Sequence, residues 1–235
     1  ISSGGSTYGA YSRNLSEIAI ECHTNNFDMF ISPHSNAYAD GQPVNYPLIL
    51  YRGTDGNERS AGSIGMCNAM WPYAYSDAHQ QWSATSVYSS TKPNVRGDVS
   101  FMGGDYSTNI NGTLYWGSYG VLRQATPGFL IERYFHTYQP ARHRAMNWEA
   151  CYIQGYLLAR GVAAYWGLTP TTITGEIFGV VRSATETYTH TYYNPMSGDD
   201  QKMPINGVKV WLKNSGGTVV NTQQINENGT ASTVS

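Results

Sequence analysis

Apolar residues recur at every second position along much of the chain. Ile18, Ile20 and Cys22 share one face of a predicted strand that Leu15 leads into, because alternate side chains of an extended segment point to the same side. Phe27, Met29 and Ile31 repeat the pattern, with Asn25-Asn26 as the turn between the two. Residues 47–53 form a third run, followed by Thr54-Asp55-Gly56-Asn57 and a small-residue return from Ser60 to Met66. Asp55-Gly56 fits a type I′ hairpin turn, since both residues tolerate positive φ. Further strands are predicted over 98–102, 113–116, 128–135 and 172–181, punctuated by Gly103-Gly104 and Asn111-Gly112. A hairpin follows, with Val208, Val210 and Leu212 facing one way and Val219-Val220 returning. Residues 148–166 read both ways. Ile153, Leu157, Gly161 and Ala164 fall at helical spacing, while Cys151, Ile153, Gly155 and Leu157 alternate. Two internal glycines would cost a helix about 1 kcal/mol each relative to Ala, which favours strands. The pattern as a whole predicts a mainly β fold with at most one or two short helices. A composition shift near residue 186 divides it into a β-rich domain, 1–186, and a C-terminal hairpin with a polar tail, 187–235.

Composition changes this picture in one respect. The chain holds 19 Tyr, 6 Trp and 6 Phe among 235 residues, and charged residues make up only 13 %, about half the roughly 25 % of an ordinary soluble domain. Aromatic rings among Ser, Asn and Gly suit both strand packing and hydrogen-bonding recognition of sugars. With 25 glycines the chain has little bulk for a private core, so an oligomer that shares buried area is expected. A net charge of −2 provides no footprint for nucleic acid, and no apolar run approaches the ~20 residues of a membrane span. The amino end shows no initiator Met and no leader, and the chain reads as a piece of something longer. Cys22, Cys67 and Cys151 are odd in number and far apart. They form neither a disulfide framework nor a zinc site, and no metal or other cofactor is expected.

Catalytic signatures are missing. Gly62-Ser63-Ile64-Gly65 and Gly117-Ser118-Tyr119-Gly120 lack nucleophile-elbow spacing. A hydrolase of glycosidic bonds needs only two carboxylates, and Asp77, Asp98, Asp105, Glu132, Glu149, Glu176 and Glu186 have aromatic neighbours. Glu132 and Glu149 could be buried acids, although each reads more readily as the ion-pair partner of a nearby Arg. Aromatic clusters are denser. Trp71, Tyr73, Tyr75 and Trp82 form one; Tyr115, Trp116, Tyr119 and Arg123 form another. Both are candidate glycan-binding groups, with packing between strands or subunits as the alternative.

These textures, the stretch from Tyr46 to Ser63 (Tyr-Pro-Leu-Ile-Leu-Tyr-Arg-Gly-Thr-Asp-Gly-Asn-Glu-Arg-Ser-Ala-Gly-Ser), Gly207-Val-Lys-Val-Trp-Leu-Lys213 and the polar ending at Ser235 resemble the receptor-binding tip of bacteriophage tail fibres. The similarity is to the L-shaped fibre of a siphovirus of enteric bacteria. The resemblance implies an elongated, intertwined homotrimer in the virion, joined to other tail proteins and cut from an intramolecular chaperone next to Ser235. It implies a viral adhesin without enzymatic activity that attaches to bacterial surface polysaccharide, such as the O-antigen of lipopolysaccharide. A tailspike-like glycosidase and a purely structural fibre segment are the alternatives.

Overall fold

A computed structural model describes residues 13–39, 44–75, 94–146, 148–169, 181–188, 201–205, 207–225 and 231–232. It is a mixed α/β protein. The elements in order are α1 (Leu15–Thr24), β1 (Phe30–Asn36), β2 (Leu48–Tyr51), β3 (Gly53–Thr54), β4 (Asn57–Glu58), α2 (Ser63–Pro72), β5 (Val95–Gly97), α3 (Asp98–Met102), β6 (Tyr106–Ile110) and β7 (Thr113–Gly117). A 3-10 turn (Gly120–Leu122) leads to β8 (Gly128–Phe135), α4 (Gln139–Ala145), α5 (Trp148–Tyr165), β9 (Arg182–Thr187), β10 (Lys202–Pro204), β11 (Lys209–Lys213), β12 (Val219–Ile225) and β13 (Ala231–Ser232). The expectation of a mainly β fibre is therefore corrected.

The first predicted strand is a helix for a reason visible in four residues. The Glu17 N–H donates to Asn14 Oδ1 (2.9 Å), and the Asn14 N–H donates to Glu17 Oε2 (2.8 Å). This capping box satisfies two of the amides that a helix start leaves open. Ala19 and Cys22, three apart, are the buried positions of α1; the apparent alternation belonged to residues on different helix faces. The return predicted over 60–66 is likewise helical. The Glu58 carboxylate accepts the Gly62 and Ile64 N–H groups (2.8 and 2.5 Å) and starts α2. Residues 98–102 form α3 instead of a strand. Residues 148–165 adopt the helical alternative as α5. Leu157 and Gly161, one turn apart, are buried there while Gly155 is exposed. One glycine thus sits against the packed face and the other faces open space, which limits their cost.

Other expectations hold their place. β2 lies inside the predicted run 47–53, β8 coincides with the predicted 128–135, and β11 and β12 form the predicted hairpin. Asn111 and Gly112 both have positive φ (51° and 87°), the pairing that a type I′ turn between β6 and β7 requires. Asp55 does not, and of the two turn residues between β3 and β4 only Gly56 (φ 78°) has positive φ. The strand predicted over 172–181 falls almost wholly outside the described residues, as does the tail to Ser235.

The described chain divides into two compact units. The first comprises 1–34, 47–71 and 87–133, the second 35–46, 72–86 and 134–235. In the first unit, β2 is central, antiparallel to β8 and parallel to β5. Leu48, Ile49, Leu50, Phe129, Leu130 and Ile131 are buried with Met66, Cys67 and Met70 of α2. β1 occupies the far edge of the sheet order β1-β8-β2-β5. The Phe30 N–H donates to the Pro127 carbonyl (2.9 Å) at its start, and the His136 N–H donates to the Asn36 carbonyl (2.9 Å) at its end, so β1 and β8 run the same way. In the second unit Phe135, Tyr138 and Ala141 form a buried cluster with Val44, Tyr46 and Tyr134 packed on it. Each unit fills a core with its own side chains. That removes the shortage of bulk on which a shared trimeric interior was predicted, and the homotrimer expectation is corrected with it. Among the described residues no helix is long and apolar enough to cross a membrane.

Gly128 permits the close approach of β1. A Cβ there would meet the carbonyl oxygen and Cβ of Phe30. Gly128→Ala is expected to destabilise the protein by about 1–3 kcal/mol, the usual cost of overpacking, measured as a lower urea midpoint. An unchanged midpoint would contradict the packing described.

Candidate active site

Glu132 is the residue that stands out chemically. β8 places it opposite Leu48 of β2, after the buried run Phe129-Leu130-Ile131. Its side chain is only 5 % exposed, and its Oε2 has no hydrogen-bond partner among the described residues. Burial alone pushes its pKa up from the ordinary 4.5 to about 7, because a low-polarity surrounding penalises the charged form. The expected ion pair with a neighbouring Arg is not what holds it. On the adjacent strand, His34 lies four residues after Phe30 as Glu132 lies four after Gly128, which sets the two level along the sheet to within one residue. His34 is half-buried, Nε2 lies 2.9 Å from Ser32 Oγ, and burial lowers its pKa, so its imidazole is neutral near pH 7.

A second buried carboxylate is structural. Asp98 is fully buried. Its Oδ1 accepts the Gly53 N–H (2.8 Å), and its Oδ2 accepts the N–H groups of Ser118 (2.7 Å) and Tyr119 (3.0 Å). Burial raises its pKa, with these bonds acting in the opposite direction. Two guanidinium groups hold the carbonyl side of the same segment. Arg52 Nε donates to the Trp116 carbonyl (2.7 Å); Arg123 Nε and Nη2 donate to the carbonyls of Gly117 (3.1 Å) and Ser118 (2.7 Å). Residues 116–119 are thus gripped from both faces of the peptide. Tyr119 stands at the end of that grip, and its phenol is raised to about 12 by burial, then by the charges of Glu132 and Asp98.

The predicted site residues distribute as follows. Trp71 is the last but one residue of α2 and belongs to the first unit, while Tyr73 belongs to the second, where Arg160 lies 5.8 Å from its ring centroid. Tyr75 is half-buried and Trp82 falls outside the described residues. Tyr115 stacks on His23 (centroids 4.9 Å apart) and under the Arg52 guanidinium (5.2 Å). Trp116 is exposed, Tyr119 and Arg123 half-buried, and Arg123 also covers the Tyr106 ring at 5.3 Å. In the second cluster, therefore, Tyr115 and Arg123 serve structure. Ser235 and the carboxylates Asp77 and Glu176 lie outside the described residues, as does the side chain of Glu149. Asp105 is bound bidentately by Arg59 (2.6 and 2.8 Å), and Glu186 is exposed on β9. What sequence reasoning missed was the weight of Glu132. A carboxylate closing four consecutive core positions was the available signal. Among the described residues no group of three or more His, Cys, Asp or Glu could hold a metal ion.

No protein-family model matches the chain, and no curated protein does. Solved structures do. The catalytic domain of CwlV, an N-acetylmuramoyl-L-alanine amidase from Bacillus (Paenibacillus) polymyxa var. colistinus, is 13 % identical with a TM-score of 0.48, covering 67 % of this chain and 68 % of that one. An N-acetylmuramoyl-L-alanine amidase from Clostridium difficile 630 is 19 % identical with a TM-score of 0.46, covering 66 % and 67 %. The amidase Ami1 of Mycobacterium smegmatis is 15 % identical with a TM-score of 0.48, covering 69 % and 64 %. Amidases thus stand where a tail fibre was expected. The fibre resemblance is corrected, and with it the adhesin function, the lipopolysaccharide receptor, the tail-protein partners, the virion location and the expectation of a chain without enzymatic activity. At this level of similarity the chemistry has to be read from the chain's own residues.

Proposed function

We propose that this chain is a hydrolase of amide bonds in which Glu132 is the acid–base group. One observation carries the reading: a carboxyl group almost closed to solvent, with an oxygen that has no partner among the described residues and a pKa pushed up to about 7 by burial. Structural carboxylates in this chain look different. Asp98 accepts backbone N–H groups and Asp105 the Arg59 guanidinium, whereas among the described residues Glu132 Oε2 is left without a donor. A base serves best when its pKa lies near the working pH, where it is both ionised and basic enough to take a proton. Perturbed acids of this kind concentrate at functional sites.

The bond between N-acetylmuramic acid and L-alanine, the linkage named for the similar structures, is the substrate on which to test this. Purified protein is expected to release the peptide from an N-acetylmuramoyl-L-alanine peptide, with kcat/KM rising through about pH 7 as Glu132 ionises. Glu132→Gln is expected to lower kcat by about 100-fold or more, the range for loss of a general base. A Gln variant of undiminished activity would overturn the assignment, and so would wild-type protein that releases no product.

A further inference from the structure

The β6–β7 hairpin has two unlike faces. Thr108, Ile110 and Gly117 are buried on the inner one, where Tyr115 lies between the His23 ring (centroids 4.9 Å apart) and the Arg52 guanidinium (5.2 Å). Ser107, Asn109, Leu114 and Trp116 alternate with these residues and are all exposed, which puts them together on the outer face of the strand pair. Packing accounts for Tyr115. It does not account for Leu114 and Trp116, which stand 51 % and 44 % open to solvent. Ser107 is paired directly with Trp116, and Asn109 with Leu114, so each polar side chain starts about 5 Å from its apolar partner at the Cβ atoms.

This face is held rigid before anything binds. Arg52 Nε donates to the Trp116 carbonyl (2.7 Å) and Arg123 Nε to the Gly117 carbonyl (3.1 Å). A Cβ on Gly117 would come within 3.2–3.5 Å of Asp98 Oδ2, Arg52 Cγ and Arg123 Cγ. At the other end Asn109 Oδ1 accepts the Gly112 N–H (2.9 Å), which also fixes the plane of the Asn109 amide. A surface already in place loses little further freedom on binding, so weak contacts are kept as affinity. One Trp and one Leu offer far less apolar area than the roughly 800 Å² per partner of a stable protein interface. The four outward residues include no ionic group. Both facts favour a small, uncharged, repeating ligand over a protein. A flat ring, a branched alkyl group, a hydroxyl and an amide match a sugar of one kind. Its C–H face lies on the ring, and its acetamido group offers a methyl to the alkyl side chain and an N–H and a C=O to the polar ones.

On the reading that this chain acts on an N-acetylmuramoyl amide, we propose that the outer face of β6–β7 is a binding site for the polymer that carries such a bond, a chain of uncharged N-acetylated hexosamines. Trp116 takes the apolar face of one pyranose. Leu114, two positions away and roughly 7 Å along the strand, takes the acetamido methyl, and Ser107 and Asn109 take hydrogen bonds from the polar rim. The site holds the polymer and not the reacting bond. It needs no contact with Glu132, because a polymer presents the same sugar many times, and holding one unit raises the effective concentration of the others.

The test uses the intact protein and the β-1,4-linked tetramer of N-acetylglucosamine, which carries no peptide and so reads binding without turnover. Calorimetry should show saturable binding to the wild type, weakened about tenfold or more in Trp116→Ala, the effect of losing one ring's buried area. The matching tetramer of glucose, with hydroxyls in place of the acetamido groups, should bind about fourfold more weakly, one methyl's share. Oxidation of Trp116 by N-bromosuccinimide, mapped by peptide mass spectrometry, should slow when the N-acetylglucosamine tetramer is present. Trp211, exposed on β11, should react at an unchanged rate. That measurement needs no variant and decides the matter even if Trp116→Ala does not fold. No binding, an equal Kd in folded Trp116→Ala, or an unprotected Trp116 would each overturn the site. Equal binding of the two tetramers would overturn the acetamido contacts. Tetramer binding through Trp116 by a protein that leaves an N-acetylmuramoyl-L-alanine peptide uncut would keep the glycan site and remove the hydrolase reading; cleavage without tetramer binding would do the reverse.

Discussion

Glu132→Gln is expected to make the protein more stable above pH 7 while it loses activity. The folded-state pKa of about 7 lies above the ordinary 4.5, so the sign is set by proton binding. Below the lower value the carboxyl is neutral in both states and contributes nothing. As pH rises between the two, the unfolded chain releases its proton and the folded one must keep it or bury a charge; stability falls. Above pH 7 the whole penalty is present. A shift of this size corresponds to about 3 kcal/mol, which for a domain of this length is a melting-temperature change on the order of 6–12 °C. Gln matches the shape of Glu and carries no charge, so the variant escapes the penalty. Thermal melts of both proteins near pH 4 and near pH 8.5 should show curves that coincide in acid and separate in base. An equal gap at both pH values would mean that the carboxyl is not buried as described.

Asp98→Asn should act in the opposite direction. The carboxylate accepts the N–H groups of Gly53, Ser118 and Tyr119 with its two oxygens. An amide has one oxygen for them, and its NH2 group would face an N–H donor across less than 3 Å. At least one buried amide loses its partner, and Arg52 and Arg123 lose the charge that opposes theirs. Buried donors left unpaired cost about 1–3 kcal/mol each, and a broken buried charge pairing about 3–5 kcal/mol. A loss of about 3 kcal/mol or more in urea unfolding is expected, against a total of roughly 5–15 kcal/mol for a domain. A midpoint within error of the wild type would show that the clamp on residues 116–119 is not what the geometry indicates.

How much of this was legible beforehand depends on where each signal resides. β8 was legible because Gly128–Phe135 follows a proline and carries Phe129, Leu130, Ile131, Tyr134 and Phe135 in one run. The β6–β7 turn was legible in two residues, Asn111-Gly112. Helix α1 was misread because Ile18, Ile20 and Cys22 alternate by accident, while the deciding Asn14-x-x-Glu17 pair lies before the apolar run. Helix α5 was misread because glycine cost was assigned without knowing that Gly161 is buried one turn from Leu157 and Gly155 is exposed. The aromatic excess suggested a recognition surface, yet Tyr115, Tyr138 and Phe135 went into ring packing and core.

What the chain's order of residues settled by itself was local: strands where β-branched and aromatic residues run together, turns where positive φ is needed, and a helix start where a side chain can cap its own backbone. These depend on contacts within a few positions, and a linear string contains them. Which buried carboxylate keeps an oxygen without a partner among the described residues was decided only by tertiary structure. Asp98 and Glu132 each lie beside an arginine in nearby sequence, Arg96 and Arg133. Folding brought Asp98 three amides from segments 20 to 45 positions away, and left Glu132 Oε2 buried without a hydrogen-bond partner among the described residues. The free energy of a charge is set by what surrounds it in space, and no spacing along the chain records that.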